Sequence, residues 1–134
     1  MDVDVIVNTV LIKVEMSFED STESSVVKYL NDIGFLGNNL ITAHSIYVND
    51  EDILLIKKNN VSISYCPNGN AKSGRRIAPI HDYLNNNLNV SLGTDGPMSG
   101  NHLDMIGIMN LAPKMQKVKY QNRSICEAKE IVKM

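Results

Sequence analysis

Residues 40–66, LITAHSIYVNDEDILLIKKNNVSISYC, hold the reading that decides the fold. Two short apolar runs, 40–46 and 61–66, are rich in β-branched residues and flank a segment of helical length. Asn49 stands before Asp50, Glu51 and Asp52, the pattern of an N-cap followed by an acidic first turn. Lys57 and Lys58 close that segment, where cations suit the negative end of a helix. Strand, helix and strand in this order predict a parallel α/β unit.

The same alternation extends outward in both directions. Residues 10–16 and 89–93 read as two further buried strands, giving four in all. Ser21 and Thr22 before Glu23 open a helix over 21–30, and Pro79 suits the first position of another over 80–86. That second helix would turn Ile80, Tyr83 and Leu84 toward the sheet. Residues 102–117 offer Leu103, Ile106, Met109 and Leu111 as an apolar stripe, with Pro113 expected to kink or interrupt it. Ser124 to Glu127 forms a capping-box pattern that opens a last helix. With no repeat, linker or break in composition, residues 1–134 read as a single α/β domain.

Composition narrows the partners. The 13 Lys and Arg against 15 Asp and Glu leave no basic surplus to neutralise a phosphate backbone, so nucleic acid is not expected. No apolar run reaches the roughly 18–20 residues of a membrane span. Asp2 and Asp4 replace the basic start of a signal peptide, so a cytoplasmic location is expected. Cys66 and Cys126 lack a CxxC partner, which points to buried or incidental thiols rather than a disulfide or a zinc knuckle.

In parallel α/β folds the chemistry gathers at the C-terminal ends of the strands and on the loops that follow. That rule selects Lys13 and Glu15, His44, Asn68 and Asn70, Thr94 and Asp95, and the loop 96–101. Asp95, with Gly93 and Gly96 near it, can ligate a divalent metal and take a proton from its water, or can simply close a turn. His44, in an apolar strand, can ligate metal, hold a water or act as acid or base, or can be a hydrogen-bonded core residue. Lys13 calls for a carboxylate, a shifted pKa or a carbamate bridge, unless it faces water. Lys72, Arg75 and Arg76 can meet an anionic substrate or form a solvated loop, His81 and His102 read as surface residues, and Met98 reads as core or rim filler.

Four strings with their order and spacing carry a resemblance: Ile41 to His44, Val61 to Asn70, Ile77 to Ile80 and Val90 to Gly96, followed by Asn101-His102-Leu103-Asp104-Met105. The chain resembles the amidohydrolase-superfamily deaminases of the chlorohydrolase and methylthioadenosine/S-adenosylhomocysteine deaminase group, over nearly its whole length. The resemblance implies part of a (β/α)8 TIM-type barrel, the fifth to eighth βα units, with a C-terminal helix. It implies one divalent metal, zinc or iron, that activates water for attack on a purine nucleoside or related heterocycle. On this resemblance Asp95 is the metal-bound aspartate and proton acceptor, His44 is the sixth-strand histidine beside metal and water, and Asn70 lies in the substrate-pocket loop.

The departures from the family pattern are specific. No His-x-His pair occurs among the three histidines. Lys13 stands where the family carries a fifth-strand histidine, with Met16 at its glutamate and Ser17 at its threonine, although a shifted register makes Glu15 the acid. Gly69 to Arg76 replaces the usual Ser-Asn-x-Lys-Leu type of stretch. The expectation is therefore a partial hydrolase centre, inactive alone, or a non-catalytic half barrel that binds a partner or a small ligand. An unrelated α/β sheet would require the shared strings to be accidental. A half barrel has two open strand edges, which invite a second copy or a chain supplying the N-terminal half.

Overall fold

Why the parallel unit forms is clearest at its middle helix. The computed structural model describes residues 2–7 and 10–15 as strand backbone and residues 25–134 in full. In chain order the elements are β1 (Asp2–Val7), β2 (Val10–Glu15), α1 (Val26–Asp32), β3 (Leu40–Ala43), α2 (Asp50–Lys58), β4 (Ser62–Tyr65) and α3 (Pro67–Lys72). There follow α4 (Ile80–Asn85), β5 (Val90–Leu92), α5 (Pro97–Gly100), α6 (Met105–Tyr120) and α7 (Ala128–Lys133). Helix α2 starts with a reciprocal capping box: Asp52 N–H donates to Asn49 Oδ1 at 2.8 Å, and Asn49 N–H donates to Asp52 Oδ2 at 3.0 Å. Buried Asp52 also accepts the hydroxyl of Ser25, the N-cap of α1, so one carboxylate ties two helix starts together.

Strands β3, β4 and β5 are parallel neighbours, with Thr42 opposite Ile63 and Ile63 opposite Val90. The expected fourth parallel neighbour is displaced. The sheet order is β2-β1-β3-β4-β5, with β1 antiparallel to both β2 and β3. Only residues 8 and 9 separate β1 from β2, too few for a parallel crossover, so the two must pair as a hairpin. Residues 2–7, DVDVIV, alternate polar and apolar at the start, a strand signal that the four-strand reading passed over.

One face of the sheet carries Leu40, Thr42, Ile63, Tyr65 and Val90, each 6% exposed or less, in a core shared with Ile56, Ile80, Tyr83 and Ala112. Side chains buried to this degree each contribute about 1.5–3 kcal/mol of transfer free energy. The other face carries Ile41, 41% exposed, with Ser62, Ser64 and Ser91.

Helix α6 corrects the predicted stripe. Its buried positions are Ile108, Ala112 and Gln116, while Leu103 precedes the helix and, like Ile106, is exposed. The helix runs through Pro113 to Tyr120. Gln116 is fully buried and satisfied: Nε2 donates to the Tyr65 hydroxyl at 3.1 Å and to the Ala78 carbonyl at 3.0 Å, and Oε1 accepts the His81 N–H at 3.4 Å. A polar side chain thereby clamps α6 to β4, which an apolar stripe cannot foresee. The last helix opens on Glu127 rather than Ser124, through a capping box with Glu130. Among the described residues no helix is long and apolar enough to cross a membrane.

Candidate metal centre

Three parallel strands deliver three polar side chains to one place. His44 follows β3, Asn70 lies in α3 just beyond β4, and Asp95 comes three residues after the end of β5. His44 N–H still bonds the Ser64 carbonyl at 2.9 Å, extending the ladder one residue past the strand, before the chain turns sharply. That turn puts His44 at φ 65°, Ser45 at φ 42° and Asp95 at φ 61°, all in the left-handed region. Such a conformation costs a residue with a Cβ roughly 1–2 kcal/mol.

The turns bring His44 Nε2 to 3.8 Å from Asp95 Oδ2. On its other side, His44 Nδ1 lies 2.7 Å from Asn70 Oδ1. Asn70 is buried, and its Nδ2 has no hydrogen-bond partner among the described residues. Asp95 Oδ1 accepts the Gly96 N–H at 2.8 Å, so one carboxylate oxygen is anchored and the other faces the imidazole.

Two glycines make room for this. A Cβ on Gly69 would lie 2.5 Å from Asp95 Oδ2, and one on Gly93 would lie 2.7 Å from Ser64 Oγ and 2.8 Å from Cys66 Sγ. Neither spacing is tolerable for carbon, so both positions require glycine in this arrangement. Burial pushes the Cys66 thiol pKa up, and the Asp95 charge adds in the same direction, so the thiol beside the pair stays protonated.

The loop after β5 is held down by α3. Asn68 Nδ2 donates to the Gly100 carbonyl at 2.5 Å and meets His102 Nε2 at 3.0 Å, while Lys72 Nζ donates to the Met98 carbonyl and to Asn101 Oδ1 at 2.6 Å. Lys72 is thus exposed yet engaged, not part of a loose loop. Arg76 sits over the Tyr47 ring at 5.7 Å. His102 lies before α6 rather than in it. His81 is half-buried, edge-on to the Tyr120 ring at 5.3 Å and bonded to Asn85 at i+4. Met98, 91% exposed, belongs to the rim.

His44 and Asp95 fit a divalent ion in kind. Two bonds of about 2.1 Å at a tetrahedral angle separate the donor atoms by about 3.4 Å, close to the gap found. They fall short in number, since catalytic zinc takes about three protein ligands. Among the described residues no group of three or more His, Cys, Asp or Glu is placed to hold an ion. The side chains of Lys13 and Glu15, and all of Met16 and Ser17, lie outside the described residues. The backbone of β2 is two strands from β3, about 10 Å at normal strand spacing.

Comparison with known proteins gives this geometry a context. The chain is 43% identical over 110 residues to the 5-methylthioadenosine/S-adenosylhomocysteine deaminase of Pyrococcus abyssi, covering 82% of this chain and 26% of that one. It is 38% identical over 123 residues to the 5'-deoxyadenosine deaminase of Methanobrevibacter smithii, covering 90% and 28%. The chain therefore spans about a quarter of the length of these relatives. Its structure resembles an adenosine deaminase from Xanthomonas campestris with bound zinc, at TM-score 0.75 and 26% identity over 78% of this chain and 24% of that one. It also resembles the guanine deaminase of C. acetobutylicum with guanine in its active site, at TM-score 0.69 and 31% identity over 77% and 26%. A family model matches residues 8–134, nearly the whole sequence, and with these relatives it shows that the chain belongs to the amidohydrolase family.

Proposed function

We propose that residues 1–134 form one partial barrel domain that supplies Asp95 and His44 to a divalent-metal centre for hydrolytic deamination of a purine nucleoside or related heterocycle. The observation that carries this reading is the approach of His44 Nε2 to Asp95 Oδ2, 3.8 Å apart at the C-terminal ends of β3 and β5. The deaminase names of the relatives support the reaction class. The ion, zinc or iron, would supply Lewis acidity for activating water. Asp95 would hold the ion through Oδ2 and its carboxylate would serve as the proton acceptor, with Oδ1 kept in place by the Gly96 N–H. His44 is the second ligand, and Asn70 lines the substrate side. With two donors among the described residues the centre is incomplete, so turnover requires the remaining ligands from a complementing N-terminal half or a second copy, joined at the edge strands β2 or β5.

The two-donor count also favours a second reading, a non-catalytic half barrel that binds a partner or a small ligand. Elemental analysis after exposure to zinc and to iron, with Asp95→Ala alongside, separates the two. The first reading expects about one ion per chain or per assembled site, lost in the variant. Absence of bound metal in both proteins would sink it. Adenosine deamination with a complementing half then tests the reaction itself.

A further inference from the structure

The bend that turns His44 out of the sheet is supported from behind. Ser45 N–H donates to the Ala43 carbonyl at 2.7 Å, across a His44 held at φ 65°. A bond from i to i+2 around a positive φ is the rare, strained form of the γ-turn. Ser45 is left-handed as well, at φ 42°. Backbone of this kind persists only where its surroundings over-determine it. Ahead of the bend, the His44 N–H is fixed to the Ser64 carbonyl at 2.9 Å. Behind it two buried hydroxyls reach Ser45: Tyr83 Oη donates to its carbonyl at 2.5 Å, and Thr42 Oγ1 lies 2.9 Å from its Oγ.

Tyr83 is the more telling of the two. Its ring comes from α4 and is fully buried, as its place in the sequence predicts. Packing there needs only a phenyl ring, and a hydroxyl without an acceptor is penalised. A carbonyl oxygen can only accept, so the direction of this bond is fixed. Burial pushes the Tyr83 pKa up, which keeps the hydroxyl protonated and able to donate.

We propose that Tyr83, seconded by Thr42, is a positioning residue of the mouth: by pinning Ser45 it maintains the γ-turn at His44 and so presents the imidazole to Asp95. The partners of the imidazole, Asn70 among them, settle the ring once it is there, whereas the turn decides where its Cβ points. The proposal rests on the reading above only in taking His44 and Asp95 as the working pair, and no ion enters it.

Nuclear Overhauser spectra of the isotope-labelled full chain test this without turnover. Left-handed backbone brings a residue's amide proton close to its own Hα, so a strong cross-peak between the two marks the turn at His44 and Ser45. A peak from the imidazole to the Asp95 Hβ protons marks the ring facing the carboxylate. The wild type is expected to show both signals, and Tyr83→Phe, which keeps the buried ring, is expected to lose both. Tyr65→Phe is the comparison. It also removes one hydroxyl bond from a buried tyrosine, to Gln116 in place of Ser45, and should lower the urea midpoint to a similar extent while leaving both signals intact. Should Tyr83→Phe fail to fold, Thr42→Val cuts the other hold on Ser45 and is expected to weaken the same peaks. Weak peaks in the wild type, signals unmoved by the variant that folds, or an equal loss in Tyr65→Phe overturn the proposal. A wild type with the turn but without metal uptake leaves it standing and removes the ion from the mouth. Metal uptake alongside signals indifferent to Tyr83→Phe does the reverse.

Discussion

The helix-facing side of the β3–β5 sheet and the mouth at its C-terminal ends follow opposite rules. On the helix side Leu40, Ile63, Tyr65, Tyr83 and Ile108 are at most 1% exposed, and the buried amide of Gln116 has each of its polar atoms bonded. At the mouth His44, Ser45 and Asp95 hold left-handed backbone, Asn70 keeps an unmet buried donor, and Gly69 leaves no space for a methyl group. The first region is what packing alone would choose. The second departs from it at five neighbouring positions, which is where a structure spends stability on chemistry.

The largest effect that can break this division belongs to the core. Ile63→Ala removes three carbons from a site with no exposure and should cost about 3–4 kcal/mol in urea unfolding. Zinc uptake per folded molecule should stay unchanged. A loss below about 1 kcal/mol would mean that the sheet collapses around the gap.

Alkali attacks the same region. Burial pushes the Tyr65 hydroxyl pKa up to about 12 and the Cys126 thiol to about 11, and Tyr83 and Tyr120 are raised as well. These groups ionise first in the unfolded chain, so their contribution is whole below about pH 9 and is lost as pH rises toward the folded values. Tyr65 alone accounts for roughly 2–3 kcal/mol between about pH 10 and 12. Urea midpoints at pH 8 and pH 11 should differ accordingly. In Tyr65→Phe the difference should shrink, and an unaltered difference would remove Tyr65 as its cause.

How much of this was legible beforehand follows the same boundary. Strand β4 and helix α2 announced themselves because the residues there obey local rules: β-branched run, Asn49 cap, acidic start and basic end. The run 40–46, read as one strand, instead ends at Ala43, since His44 and Ser45 turn into left-handed backbone. His44, Asn70 and Asp95 could be named from their place after strands, and the structure brings them together, but their roles as ligands and pocket residue rest on proposal. Helix α3 was hidden by Pro67-Asn68-Gly69-Asn70, a string of turn residues that Pro at the first position and tertiary contacts nonetheless hold as helix. The α6 stripe misled because Gln116 is buried by bonds that no hydropathy pattern encodes. Hairpin β1–β2 was missed because a parallel neighbour was expected beside β3. Gly69 and Gly93 matter through atoms far along the chain, beyond any local signal.

Gly69→Ala moves the argument to the mouth. The added methyl would lie 2.5 Å from Asp95 Oδ2, so the carboxylate must turn away from His44. Stability should change by no more than about 1–2 kcal/mol, because the displaced group is half-exposed. Zinc affinity should nevertheless fall at least about tenfold, the loss expected when a ligand is disoriented. Equal zinc binding in both proteins would show that Asp95 does not need the orientation seen here.

The smallest effect compares left-handed residues inside and outside the mouth. Gln121, φ 50°, ends α6 in the open, where its side chain is exposed and its N–H bonds the backbone of Lys117 and Val118. Glycine there keeps those bonds and relieves the crowded Cβ, so Gln121→Gly should raise stability by roughly 0.5–1 kcal/mol. His44→Gly relieves a similar strain, yet it also abandons the 2.7 Å contact with Asn70 and strands a second atom of that buried amide. The two contributions are of the same size, so thermal unfolding should find His44→Gly near neutral, within about 0.5 kcal/mol of wild type. A clear gain in both variants would mean that the His44–Asn70 contact adds no net stability.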